Sequence, residues 1–251
     1  MAAVALLCAG ALVAAGCGGS SGKKKGGTIT IGTVGPDSYD PVMFQTVQAV
    51  SALHLVYTPL LAYRDATGAA SADLIAGVAD SVPTPTNGGK TYTFKLRPNL
   101  KYSDGTPVKA SDFTHEIKRL LFLGGPYSSF FSGVVGADAY VKAKKENAPL
   151  PGIVANDSTG QIKVTLTAAD STFPYAVAEP AAAPTPAAKS PFKDLTAKPP
   201  PGVGSYTMRI INPSREYILT KNPSFNIPGM AKGNVDKIDA KVSNDVPGMT
   251  E

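Results

Sequence analysis

Tyr92, Phe94 and Leu96 alternate with Thr93, Lys95 and Arg97, so an extended chain here is apolar on one side and polar on the other. That period-2 pattern predicts a half-buried strand. Asn87-Gly88-Gly89 just before it supplies the positive φ angles of a tight turn. Tyr102-Ser103-Asp104-Gly105-Thr106-Pro107 after it is a cluster of turn formers. The period then changes: Phe113, Ile117, Leu120 and Leu121 stand at i, i+4, i+7 and i+8, one stripe of a helix. Asp112 falls in the first turn of that helix, where a negative charge suits the unpaired N–H groups.

The same reading predicts a first strand at residues 28–31, a turn-rich loop at 34–41 and a helical stripe of Val47, Val50, Leu53 and Val56. Extended segments follow at 60–63 and 74–82, separated by the turn Asp65-Ala66-Thr67-Gly68. A short charged helix is expected at 137–145. Residues 153–155 and the apolar series Ile162, Val164, Leu166 flank a turn at 156–160, a hairpin with Lys163 and Thr165 outward. A helical return is expected at 173–178, and the Ala- and Pro-rich residues 179–201 read as irregular surface chain with a short helix. Strands at 206–211, 217–221 and 235–242 complete the pattern.

The N-terminus differs from the rest. Residues 1–16 are small and apolar, with Leu6, Leu7, Leu12 and Val13 among alanines, too short for the ~20 residues of a membrane span and suited to a signal-peptide core. Small residues then precede Cys17, and a Gly/Ser tether follows, which resembles a bacterial lipoprotein processing site with Cys17 as the lipidated residue. Two features depart from that pattern. Ala14 stands where Leu or Val is usual, and no basic residue precedes the apolar run, so a start upstream of Met1 is expected. With Cys8 in the removed segment and Cys17 carrying lipid, neither of the two cysteines remains for a disulfide or metal. Lys23-Lys24-Lys25 reads as solvated linker, able to rest on anionic headgroups of a membrane.

The 251 residues are enough for a sizeable core, and the net charge of +5 comes from scattered side chains. No basic stripe interleaved with aromatics marks a nucleic-acid surface. His54 and His115, the only histidines, lie far apart and read as packing or helix-surface residues rather than metal ligands. Asp37 and Asp40 sit in a turn-rich loop and read as turn formers, not as an acid–base pair. No nucleophile elbow or Walker loop is present, and Gly202-Val203-Gly204 lacks the third glycine of a dinucleotide loop. The reading is of a protein that is not an enzyme, without catalytic residues, metal or cofactor.

The wording of the central block resembles one family. Tyr92, Phe94, Leu96 and Arg97, then Tyr102-Ser103-Asp104-Gly105, Pro107-Val108, Asp112 and Phe113 match the most recognisable block of the family 5 solute-binding proteins of ABC importers, the oligopeptide-, dipeptide- and nickel-binding group. Gly202-Val203-Gly204-Ser205-Tyr206, Asn222-Pro223-Ser224-Phe225 and the strand from Val235 match further phrases of that family. Lys109 stands where the family often has a capping Thr or Ser, a loss worth about 1 kcal/mol.

The resemblance implies an α/β fold, a type II periplasmic-binding-protein-like lobe of mixed sheet with a smaller α+β domain inserted and the second main lobe missing. Its expected boundaries are 1–17 for the signal peptide ending at Cys17, 18–27 for the linker, 28–58 plus 178–242 for the discontinuous main lobe, 59–177 for the insert, and 243–251 for the start of the second lobe. It implies an extracytoplasmic lipoprotein, lipid-anchored to the outer face of the membrane, that delivers a solute, a short peptide by preference, to the permease subunits of an ABC importer. Thr33, Val34, Gly35, Asp37 and Ser38 of the first loop, with Tyr127, are the expected ligand-lining residues. The alternative is a surface-anchored interaction or scaffold protein that does not transport. Peptide, nickel-chelate, opine and sugar binders share these framework residues, so the ligand stays open.

Overall fold

The computed structural model describes residues 26–243. The expected signal segment with Cys17, the three lysines and almost all of the tail beyond Val242 lie outside the described residues. In chain order the elements are β1 (Thr28–Thr33), α1 (Val47–Val56), β2 (Leu61–Tyr63), β3 (Leu74–Ala76), β4 (Thr91–Lys95), α2 (Ala110–Leu123) and α3 (Ala137–Ala143). Then come β5 (Ile153–Asn156), β6 (Gln161–Thr165), α4 (Phe173–Ala176), β7 (Tyr206–Asn212), β8 (Glu216–Lys221) and β9 (Lys237–Val242).

The strands make three sheets. One is four-stranded and mixed, in the order β1-β9-β8-β7, with β1 parallel to β9 and the other pairs antiparallel. A second, antiparallel, runs β4-β6-β5, and β2 and β3 form a pair of their own. The alternation that predicts β4 is observed: Tyr92 and Phe94 are buried and face Val164 and Ile162 of β6, while Thr93 and Lys95 are exposed. In α2 the stripe of Phe113, Ile117, Leu120 and Leu121 is buried as its spacing requires. The Lys109 side chain makes no cap. Asp112 compensates, its Oδ2 accepting the Lys109 N–H at 3.0 Å and the Tyr102 hydroxyl at 2.8 Å.

Two expectations are corrected. The buried face of α1 is Ala49, Ala52, Leu53 and Val56, so the stripe lies one step round from the predicted one and Val47 is 75% exposed. The glycines of residues 202–204 pass in close contact with the C-terminal end of this helix. A Cβ built on Gly202 would lie 2.1 Å from the Val56 carbonyl oxygen, and one on Gly204 2.3 Å from that of Leu55. The Gly-x-Gly phrase is therefore a close backbone crossing. Nearby, the Thr58 N–H donates to the Val203 carbonyl (3.1 Å) and the Asn222 side-chain amide to that of Gly204 (2.9 Å).

The second correction concerns the Ala/Pro segment, which carries two short single-turn helices but is not surface chain throughout: residues 180–186 are all buried. This strap lies along α2 and is stitched to it by polar contacts. The Ala187 N–H donates to Asp112 (3.2 Å), the Thr185 hydroxyl to Glu116, and the His115 ring meets the Ser190 carbonyl at 2.7 Å. At the centre stands Arg119, fully buried and paired with Asp40 and, at 3.2 Å, Glu116, both also fully buried. Its remaining donors reach the carbonyls of Pro191 and Lys193, each at 3.0 Å. Asp40 in turn accepts the N–H groups of Val42 (3.1 Å) and Leu195 (2.7 Å).

Removing Arg119 strands two buried carboxylates. Arg119→Met is expected to cost about 3–5 kcal/mol in a urea unfolding titration, whereas an exposed ion pair such as Arg64–Asp73 is expected to contribute under about 1 kcal/mol. Burial also pushes the Glu116 carboxyl up from its usual 4.5 to about 7, against the pull of Arg119 and Thr185. The folded protein therefore holds a proton between about 4.5 and 7 that the unfolded chain has released. Its contribution is full below that window and is lost as pH rises through it. Glu116→Gln is expected to remove this part of the pH dependence, read as a stability difference from wild type that changes across the window. A constant difference would mean that Glu116 is ionised throughout.

Candidate ligand-binding site

Among the described residues a cavity of about 580 Å³ opens between the β2 strand, the turn after α2, and α4. Its walls include Tyr63 at the end of β2, Phe130 in the single-turn helix Pro126–Phe131, Phe173 and Tyr175 of α4, and Glu179 just beyond. Chain geometry explains the grouping. The β4 side chain Tyr92 stacks on Phe173 at 5.3 Å between ring centres and donates its hydroxyl to the Asp170 carbonyl at 2.6 Å, fixing α4 against the three-stranded sheet. Phe131 meets Phe173 edge-on at 5.9 Å, fixing the turn after α2 to the same point. The aromatic residues that do not take part in this packing, Phe130 and Tyr175, are left 53% and 45% exposed on the cavity wall.

Tyr127 is not one of the wall residues but packs beside one of them. Its half-buried ring packs on Phe44 at 4.7 Å and edge-on to Phe130 at 5.5 Å. Burial raises its phenol above the usual value, and the nearby carboxylates of Glu179 and Asp37 raise it further, so all three residues share one neighbourhood. Asp37 is exposed, yet its oxygens are engaged: they accept the N–H groups of Gln45 (2.7 Å) and Thr46 (3.1 Å) and the Thr46 hydroxyl (2.6 Å). Burial alone would raise this carboxyl, but those hydrogen bonds outweigh it and hold it below its usual value. Thr46 also caps α1, accepting the Ala49 N–H at 3.3 Å, so Asp37 orders the approach to that helix.

The other expected ligand residues lie elsewhere on the same loop. Thr33 ends β1 opposite Val242, with Val34 and Gly35 half-buried beside it. Ser38 is only 4% exposed; its hydroxyl lies 2.6 Å from that of Thr196 and accepts the Asp40 N–H at 3.0 Å. Of the residues singled out from the sequence none lines the cavity; Tyr127 packs beside its wall residue Phe130, and no sequence signal marked Tyr63, Phe130, Tyr175 and Glu179, which do line it. Glu179 accepts the Tyr63 hydroxyl at 3.2 Å across 116 positions of chain, a pairing with no local signal.

The two histidines do not meet. His115 is held by Ser190 and packs edge-on against Phe192 at 5.1 Å, while burial lowers the pKa of His54. Among the described residues no three His, Cys, Asp or Glu side chains gather as a metal would require, and no helix is long and apolar enough to cross a membrane.

Comparison with known proteins gives these features a family. Residues 73–250 match the profile of the bacterial extracellular solute-binding proteins, family 5. The periplasmic oligopeptide-binding protein OppA of Salmonella typhimurium is 31% identical over 143 residues, covering 54% of this chain and 26% of that protein. The dipeptide-binding protein DppE of Bacillus subtilis is 37% identical over 94 residues, 37% of this chain and 17% of that one. Among solved structures, clavulanic acid biosynthesis oligopeptide binding protein 2 superposes with a TM-score of 0.79 at 25% identity, covering 89% of this chain and 41% of that one. Listeria monocytogenes OppA bound to peptide gives 0.74 at 19% identity, covering 91% and 44%. The chain thus spans about a quarter of the length of the OppA sequence it matches and about two-fifths of the solved structures. These structures share the mixed α/β fold described above, and their family is one of substrate-binding proteins, not enzymes. By its profile, its framework residues and its fold, the chain belongs to family 5 of the bacterial extracellular solute-binding proteins.

Proposed function

We propose that this chain is the near side of a trap for short peptides, held outside the membrane by lipid on Cys17 and serving the permease of an ABC importer. The observation that carries the reading is Tyr127, in a member of this family: it packs on Phe130 of the aromatic-walled cavity and lies within electrostatic reach of both Glu179 on that wall and Asp37 of the loop that follows β1. Relatives named for oligopeptides and dipeptides support peptide as the ligand class. A peptide lying extended along the rim would pair its backbone with the lobe as an added strand does, leaving side chains to fill the cavity. In this arrangement Thr33 anchors the loop to β9, Val34 and Gly35 offer backbone groups, Tyr127 offers a ring face, and Asp37 and Ser38 hold the loop in shape.

We also read the chain as two units, residues 28–58 with 178–242 as main lobe and 59–177 as insert. The pairing of β1 with β9, with the β4-β6-β5 sheet between them in sequence, favours that division. A cleft of this kind closes by hinge motion about the strands that cross between lobes.

Calorimetric titration of di- to pentapeptides into the protein as its gene encodes it is expected to give saturable binding, weakened about tenfold by Tyr127→Ala. Absence of binding across that range would remove peptide as the ligand class. The 251-residue chain alone is expected to bind weakly or not at all, because a closed trap needs two jaws; micromolar binding would make one jaw sufficient. Metabolic labelling with palmitate in a bacterial host is expected to mark the wild-type protein and not Cys17→Ser. Equal labelling of both would place the anchor elsewhere.

A further inference from the structure

The cavity is one-sided in charge. Its walls carry the carboxylates Asp170 and Glu179 and no Lys, Arg or His, although the protein as a whole has a net charge of +5. Asp170 is engaged locally, its Oδ1 accepting the Thr172 N–H at 2.8 Å and the Thr172 hydroxyl at 2.6 Å. Glu179 is half-buried, the one hydrogen bond to its carboxylate among the described residues comes from the Tyr63 hydroxyl at 3.2 Å, and no Lys or Arg among those residues forms an ion pair with it. Burial raises its carboxyl above the usual value, partly opposed by the Tyr63 hydrogen bond. The Tyr63 and Tyr175 rings stand beside it, centres 6.3 Å apart and planes tilted by 36°.

A partly desolvated carboxylate lacking a cation, next to two tyrosine faces, attracts positive charge by Coulomb interaction and by the ring quadrupoles. The volume, about 580 Å³, lies within the ~300–1,000 Å³ of small-molecule sites and admits an organic side chain rather than a bare ion. We propose that Glu179, flanked by Tyr63 and Tyr175, makes this cavity a subsite for an organic cation, an ammonium or guanidinium group carried by the ligand, and so sets a preference for basic peptides. The cavity's preference for positive charge stands on its own walls; that a peptide carries the charge rests on the function proposed above.

The test compares Ala-Lys-Ala with Ala-norleucine-Ala, which has the same alkyl chain without the charge, by calorimetry on the protein as its gene encodes it. The lysine peptide is expected to bind about tenfold more tightly. Glu179→Gln, which keeps an acceptor for Tyr63, is expected to abolish the preference, so that the lysine and norleucine peptides bind equally. Persistence of the preference in N-acetylated peptides assigns the subsite to the side chain. If instead acetylation weakens every peptide in wild type and not in Glu179→Gln, the subsite takes the α-ammonium. Equal affinity for lysine, norleucine and acetylated peptides overturns the proposal. Should no tripeptide bind, the peptide reading fails and agmatine decides the cavity alone, followed by NMR of the Tyr63 and Tyr175 rings. Ring shifts in wild type that vanish in Glu179→Gln uphold a cation subsite; absent or identical shifts overturn it.

Discussion

The guanidinium of Arg119 is the point on which the rest of the structure turns. A group that stays charged at any pH is held without solvent exposure, and its forked donors are divided between two carboxylates and two backbone carbonyls. Such a group is weak evidence for net stability, since desolvation offsets most of the attraction. What it does impose is geometry. Asp40 belongs to the loop before α1, Glu116 to α2 itself, and Pro191 and Lys193 to the strap. One misplaced segment would leave an unpaired charge in the interior. The loop and the strap are therefore obliged to meet α2 in one register.

That register reaches the cavity. Asp40 stands two residues after Ser38, whose hydroxyl contacts Thr196 just past the strap's hold on Arg119. The strap begins at the cavity wall with Glu179, runs along α2 through Thr185 and Ala187, and adds the ion pair of Lys189 with Asp104. The first-loop residues and the wall residues thus hang from one polar spine. Most of the phrases that identify the family sit on this spine or on its supports. Asp112 joins the strap to α2, Arg97 holds the carbonyl of Gly77 at 2.8 Å, and Gly202 and Gly204 let the chain cross α1. These are framework tasks. They explain why the motifs speak clearly about fold and so little about ligand.

The same division governs what could be read from the sequence. The strand β4 and the helix α2 were legible because one period of apolar residues decides each, and neighbours in the fold agree with it. The face of α1 was misjudged because valine is more apolar than alanine, while the helix turns Ala49 and Ala52 inward and leaves Val47 exposed. The strap looked like surface chain because alanine and proline make no periodic stripe, and its burial comes from partners some 70 positions away on α2, as in the 72 that separate Pro191 from Arg119. Asp40 looked like any turn-forming aspartate, since nothing local distinguishes one that receives an arginine. Near the site, Tyr127 was singled out by what the resemblance implies. Glu179 carried no family phrase, being an acid in a low-complexity stretch whose partner tyrosine is remote.

The parallel pairing of β1 with β9 has a consequence for the order in which the molecule comes into being. The Gly27 N–H reaches the Asp236 carboxylate at 2.9 Å across 209 positions, and Thr28 pairs with Lys237 in the ladder. During vectorial synthesis the first strand emerges long before its neighbour exists. The hairpin, helices and sheet encoded between them are all available to form earlier, since their contacts are nearer in sequence. The opening strand must therefore wait, unpaired, until nearly the whole described chain has been made, and the mixed sheet closes last.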